Sequence, residues 1–139
     1  DDITILFRQF PLDSIHPIAR GAHRAAEAAG NQGKFFEMHD LLYQNQQSWS
    51  QSSNGKAIFE SYATQLGLNI TKFQTDYSAE ETNNIINADA EVGKKLEVNG
   101  TPSFFLNGRM LEDNERRSLD DLTKVIDAEI AKVSAAPQN

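Results

Sequence analysis

The sequence contains no cysteine. Disulfides, Cys-bound zinc, iron–sulfur clusters and a thiol nucleophile are therefore excluded from this chain, while nothing follows about its compartment. Positive charge is scarce as well. The chain has 13 Lys and Arg against 20 Asp and Glu, a net charge of −7. Nucleic-acid binding needs clustered basic residues to neutralise phosphates, and an anionic membrane surface makes the same demand. The balance argues against both. No apolar run approaches the ~18 residues of a membrane span. A phosphate-cradling Gly loop of the P-loop or dinucleotide kind is missing, as is a Gly-x-Ser-x-Gly nucleophile setting. No internal repeat is visible. What is present is ordinary globular material: 139 residues, 39% apolar and 24% charged, enough for one domain with a real core. The chain opens on Asp-Asp rather than Met and carries no signal peptide, so a mature secreted product or a piece of something longer is expected.

Residues 3–10, Ile-Thr-Ile-Leu-Phe-Arg-Gln-Phe, are β-branched and aromatic and stop at Pro11. They predict a strand, and the nearly continuous apolar run predicts one buried on both faces in a parallel or mixed sheet. Pro17 fits a first helical turn, and the Ala-rich stretch from Ile18 to Ala29 predicts a helix stopped by Gly30. Phe35, Phe36, Met38, Leu41 and Leu42 make a helical stripe over residues 33–45. Residues 44–55, polar around Trp49, read as a loop. Ile58, Phe59, Tyr62, Ala63 and Leu66 predict a helix over 56–66 with Gly67 as its stop. Asn69 is placed to cap a short helix through Phe73 and Tyr77. Ser78 with Glu81 reads as a capping box opening a long helix to about Leu96, with Ile85, Ile86, Ala88, Val92 and Leu96 facing in. Residues 103–106 predict a strand and Asn107-Gly108 a hairpin turn into a strand at 109–111. Ser118 and Asp121 predict the cap of a last helix, with Leu119, Leu122, Val125, Ile126 and Ile130 inward. The tail from about Ser134 is expected to fray.

Most candidates for chemistry have a plainer reading. His16 and His23 are seven apart and share a helical face, and His39 lies on another helix, so a metal is conceivable. No carboxylate stands at a ligand spacing, however, and scattered or capping histidines are the expectation. Glu80-Glu81, Glu112-Asp113 and Asp120-Asp121 are paired acids, at helix starts and in a loop, where acids complement the helix dipole. Asn69-Ile70-Thr71 and Asn99-Gly100-Thr101 match the glycosylation triplet but read as a helix cap and a tight turn. Phe35, Phe36, Tyr43 and Trp49 form either an exposed aromatic patch or, as helical stripes more often do, core. The informative segment is Val98-Asn99-Gly100-Thr101-Pro102-Ser103-Phe104-Phe105. A proline is tolerated at the first residue of a strand. A cis peptide is inexpensive only before proline. Such a bend would expose the Thr101 backbone to an extended peptide, which could add itself as a strand.

Several blocks occur in a telling order: Phe7-Arg8-Gln9-Phe10-Pro11-Leu12, Ile15-His16-Pro17, Ala25-Ala26-Glu27-Ala28-Ala29, residues 33–42 from Gly33 through Phe35-Phe36 to His39-Asp40-Leu41-Leu42, and residues 100–108 from Gly100-Thr101-Pro102 to Asn107-Gly108. Together they resemble the DsbA-like branch of the thioredoxin superfamily, from Ile3 to about Ala131. The resemblance implies an α/β thioredoxin-like fold with an inserted helical domain. It assigns 1–13 and 97–133 to a partial thioredoxin-like domain, 14–96 to the helical insertion (proper over 14–80) and its connecting long helix, and 134–139 to a flexible tail. It further implies thiol–disulfide oxidoreductase activity in exported proteins, an extracytoplasmic or periplasmic location, and no cofactor. Gly100, Thr101 and Pro102 are expected to hold an extended client polypeptide.

The departure is the missing Cys-x-x-Cys, which in the family follows a strand earlier than the position of Asp1. Without a thiolate there is no disulfide exchange. The chain is thus expected to be an N-terminally truncated relative, inactive as it stands, with the central strand and active-site helix missing. Its two flanking strands would then pair directly, or a second copy would fill the lane as an edge-paired or strand-exchanged homodimer. A non-catalytic peptide- or protein-binding module is the alternative. A glutathione-handling or isomerase relative of the same fold is a third reading.

Overall fold

The computed structural model describes residues 3–135. The described residues divide into two compact units, one over 7–97 and one joining 3–6 with 98–135.

The 7–97 unit is helical. Its helices are α1 (Ala19–Gly30), α2 (Phe35–Gln44), the single turn α3 (Gln46–Trp49), α4 (Gly55–Gln65), α5 (Ile70–Ser78) and α6 (Glu80–Lys95). Alanine decides how they pack. Ala25, Ala28 and Ala29 of α1 are completely buried. Their short side chains let α2, α4, α5 and α6 all pack against that helix. The rest of that core is Ala22, Ala26, Met38, Leu42, Trp49, Phe59, Tyr62, Ala63 and Phe73. The Trp49 indole is buried with its N–H donating to the Leu42 carbonyl at 2.8 Å, which satisfies the one polar atom of that ring. The segment expected to be a loop around Trp49 therefore holds one helical turn, fixed by this anchor. Asn69 caps α5 as expected, its side chain accepting from the Lys72 N–H at 2.9 Å.

Two expectations for α6 are corrected. Ser78 is no capping residue, because it is the last residue of α5; the chain turns at Ala79, which is extended and has no side-chain acceptor. Thr82 instead donates to the Asp76 carbonyl at 2.6 Å. The inward face is also rotated. Thr82, Ile86 and Asp89 are buried, while Ile85, Ala88, Val92 and Leu96 are exposed. The cause lies in residues 8–10. Asp89 receives the Gln9 backbone N–H at 3.0 Å and the Arg8 guanidinium at 2.8 Å. One turn further along the same face, the Phe10 ring lies over Gly93.

A Cβ on Gly93 would stand 2.5 Å from that ring. Alanine at an ordinary helical glycine gains up to about 1 kcal/mol of helix propensity. Here the steric overlap, of order 1–3 kcal/mol, should win. Gly93→Ala is therefore expected to lower the urea midpoint. A raised midpoint would mean that Phe10 does not pack on α6.

Residues 3–10 are not a strand. They form no ladder among the described residues, and Ile5 and Leu6 are 73% and 74% exposed. A β-forming sequence still needs a neighbouring strand to satisfy its backbone. The one sheet among the described residues, a short hairpin at 105–110, does not include this run. Burial on both faces fails with it, except at Gln9, which is fully buried for a polar reason given below.

The second unit contains that hairpin, β1 (Phe105–Leu106) and β2 (Arg109–Met110), paired antiparallel with Phe105 opposite Met110 and Leu106 opposite Arg109. Asn107 and Gly108 occupy positive φ at 48° and 84°. Both positive values are what a two-residue primed turn demands, and Asn-Gly supplies them with little strain. The Leu111 N–H donates to the Phe104 carbonyl at 2.8 Å and extends the pairing by one rung. Residues 113–115 form a 3-10 turn, and α7 (Leu119–Ala135) follows. Ser118 caps α7, its hydroxyl accepting from the Asp121 N–H at 3.1 Å. Leu122, Val125, Ile126 and Ile130 are half-buried along one face, whereas Leu119 is exposed, contrary to expectation. Ser134 and Ala135 belong to α7. The remainder of the tail expected to fray lies outside the described residues.

Candidate functional site

The loop ahead of the hairpin is built by its own side chains. The Thr101–Pro102 peptide bond is cis. Thr101 and Pro102 are exposed, and Gly100 and Ser103 are half-buried. The Ser103 hydroxyl donates to the Gly100 carbonyl at 2.7 Å. Arg116 donates to the Pro102 carbonyl at 2.6 Å. Between these two engaged carbonyls, neither the amide nor the carbonyl of Thr101 forms a hydrogen bond among the described residues. A main-chain donor and acceptor in an exposed loop are what an extended polypeptide can pair with.

The turn that carries Arg116 is held by charge. Glu112 and Glu115 form a capping box, and the Glu112 N–H donates to the Glu115 carboxylate at 2.8 Å. Arg109 of β2 grips the same carboxylate with two nitrogens, each at 2.8 Å, the bidentate geometry that suits a guanidinium. These bonds, Arg109 first and then the Glu112 amide, bring the Glu115 carboxyl down to about 2. Glu112-Asp113 is therefore part of a structural turn.

The other sequence candidates are dispersed. His16 is exposed. His39 sits among aromatic rings, 5.3 Å from Phe7 and 4.8 Å from Tyr43 between centroids. His23 belongs to a polar knot around Gln9. The Gln9 side-chain amide donates to Glu27 at 2.7 Å, and its carbonyl oxygen meets the His23 Nδ1. Burial, the dominant cause, pushes the His23 imidazole down to about 4; Asp13 opposes this and Arg20 adds to it. His23 is thus neutral at pH 7, with the Nδ1–H donating to Gln9. Among the described residues, no three His, Asp or Glu side chains converge as metal ligands. The aromatic group divides. Trp49 is core and Phe35 packs against the core, while Phe36 and Tyr43 are 53% and 64% exposed. Glu80-Glu81 and Asp120-Asp121 occupy the first turns of α6 and α7, where the dipole favours them.

Arg116 was not visible as a site residue in the sequence. Its signal is the alternation of sign from Arg109 through Glu112, Asp113 and Glu115 to Arg116, beside a Thr-Pro turn.

A mostly helical chain whose Thr-Pro loop precedes a short hairpin and a final helix fits a partial thioredoxin fold. A family model described as Thioredoxin matches residues 1–128. The chain belongs to that family. It is 36% identical over 111 residues to "Na(+)/H(+) antiporter NhaA 1" of Mycobacterium sp. (strain KMS), a match covering 78% of this chain and 17% of that protein. It is 38% identical over 108 residues to "Na(+)/H(+) antiporter NhaA 1" of Salinispora arenicola (strain CNS-205), covering 78% and 16% respectively. To "Na(+)/H(+) antiporter NhaA" of Herminiimonas arsenicoxydans it is 30% identical over 111 residues, covering 80% and 17%. The chain thus spans about a sixth of the length of the curated relatives it matches. Among the described residues, no helix is long and apolar enough to cross a membrane.

Proposed function

We propose that this chain is the client-holding part of a DsbA-like thiol–disulfide oxidoreductase that forms or isomerises disulfides in exported proteins outside the cytoplasm. This chain has no cysteine, and on this reading the reacting Cys-x-x-Cys belongs to sequence preceding Asp1. Residues 1–13 and 97–133 then supply part of the thioredoxin-like domain, and 14–96 its helical insertion. The observation carrying this reading is the loop at Gly100, Thr101 and Pro102, in a chain of the thioredoxin family, with an exposed Thr101 whose backbone has no partner among the described residues. A client strand pairing there would bring its own cysteine sulfur within reach of the Cys-x-x-Cys that this reading places before Asp1, so that a client thiolate attacks the pair's disulfide, or a thiolate of the reduced pair attacks a client disulfide.

The test is the coding sequence upstream of Asp1. It is expected to encode Cys-x-x-Cys on a strand–helix unit. The longer protein, in its disulfide form, should then oxidise a reduced, cysteine-bearing model protein and be left as the dithiol, and the cysteine-free 139-residue chain should not. An upstream sequence without a cysteine pair, or a longer protein with no exchange activity, overturns the reading.

The names of the relatives favour one second reading. They are called antiporters, and this chain matches only a small part of each. A thioredoxin-fold module without redox chemistry, attached to a larger protein and binding a peptide or protein segment, is consistent with that. Absence of the cysteine pair upstream selects it.

A further inference from the structure

Among residues 98–135, one side chain links the 3-10 turn to the Thr101 loop. We propose that Arg116 is a positioning residue for client binding: it fixes the Pro102 carbonyl so that the free Thr101 main-chain groups are presented in one orientation. The inference rests on the client-binding reading above and names a residue which that reading does not contain.

The geometry has three parts. The turn that bears Arg116 cannot drift, because Glu115 is held both by the Arg109 fork and by the Glu112 amide. Glu115 and Arg116 are sequence neighbours with divided duties, one reaching back to β2 and the other to the proline loop. The guanidinium itself is aimed by Asp113, whose carboxylate accepts from Nη2 at 2.5 Å while Nη1 serves the Pro102 carbonyl at 2.6 Å. Nε is buried without a partner among the described residues, so the side chain gives up one hydrogen bond in this pose. A surface arginine with no task would keep that nitrogen in water, since an unsatisfied buried donor costs about 1–3 kcal/mol. The two strong bonds at the fork offset it, because bonds from a charged donor are stronger than neutral ones.

The consequence for binding is pre-organisation. A loop that already holds its bound shape loses less conformational freedom when a ligand docks, and the saving appears as affinity. Ser103 ties the Gly100 carbonyl from one side and Arg116 ties the Pro102 carbonyl from the other. Remove the second tie and Thr101 samples several orientations, of which one binds.

The probe is a short, cysteine-free peptide of alternating valine and serine, titrated into the full 139-residue chain with the Thr101 amide followed by NMR. Saturable movement of the Thr101 amide is expected in the unaltered chain. Arg116→Ala should weaken binding by roughly tenfold, the effect of about one charge-assisted hydrogen bond. Arg116→Lys, which can reach one carbonyl but cannot fork to Asp113 as well, should recover part of the loss. Arg117→Ala should bind as the unaltered chain does. Hairpin amides such as Arg109 should keep their positions in Arg116→Ala, which separates loop loosening from loss of fold. Equal affinity in Arg116→Ala and the unaltered chain overturns the Arg116 inference and leaves the client-binding reading standing. No movement of Thr101 in the unaltered chain overturns that reading and this inference together.

Discussion

Phe59→Ala is expected to destabilise the chain by about 3–5 kcal/mol in urea unfolding. Phe59 has no exposed surface. Its ring meets Trp49 edge-on at 5.6 Å between centroids and lies 6.5 Å from the Tyr77 ring. It also closes on backbone, since a Cβ on Gly21 would stand 3.2 Å from it. A glycine on one side and packed rings on the other leave little that could collapse into the vacated space. The cost should therefore contain both the lost transfer energy and a nearly complete cavity term. Total stability for a domain of this size is typically about 5–15 kcal/mol, so the variant should lose a large share of it. Phe59→Leu, which keeps most of the volume, should cost about 1.5 kcal/mol or less. A loss under about 1 kcal/mol for the alanine variant would mean that α4 does not sit against α1 through this ring.

The second large effect is with pH. His23 is neutral in the folded chain because burial holds its imidazole at about 4, against 6.5 for a free histidine. Unfolding releases it to its ordinary value, so the unfolded chain binds the extra proton between those two pH values. The stability that depends on neutral His23 is therefore fully present above about pH 6.5 and is lost as pH falls towards 4. Below 4 both states are protonated and no further loss comes from this group. The interval corresponds to about 3 kcal/mol. Carboxylates titrate near the lower end of the same range, so the informative quantity is a difference. Unfolding free energies at pH 7, 6 and 5 should fall more steeply for the unaltered chain than for His23→Gln. Parallel slopes would remove His23 from the polar knot.

That knot marks where sequence reasoning reached its limit. Between Ala19 and Ser78 the helices are legible, the single turn Gln46–Trp49 excepted, because apolar residues recur at helical spacing and because Gly30, Gly67 and Asn69 punctuate them. The hairpin was legible from Asn107-Gly108 alone. The run from Ile3 to Phe10 misleads because β-branched and aromatic residues in a nearly continuous apolar run report a preference for extended chain, and pairing depends on a partner that local sequence does not reveal. Gln9 sits inside that run as its most buried member, for hydrogen bonds to Glu27, His23 and Asp89 that are 14 to 80 residues away. The same bonds turned α6. Its apolar positions suggested a face through Ile85 and Val92, but Asp89 and Gly93 are where residues 8–10 attach. A buried charge meeting a backbone amide outranks a stripe of aliphatic residues, and no periodicity reports it. At the candidate site, Gly100, Thr101 and Pro102 could be named in advance because Thr-Pro before a strand is a local pattern. Arg116 could not, because its partner is the Pro102 carbonyl, which every residue type possesses.

At Thr101 the loop leaves a main-chain amide and carbonyl without partners among the described residues. On the proposed reading this fixes the kind of discrimination it can make. An amide and a carbonyl recur in every peptide unit, so such a site is nearly blind to which side chains pass over it. It tests shape: a segment must be extended and must have its own main-chain groups free. Segments inside finished helices and sheets fail that test, and unfolded or misfolded stretches pass it. Selection by foldedness would then be built into two hydrogen-bonding groups that the loop leaves open.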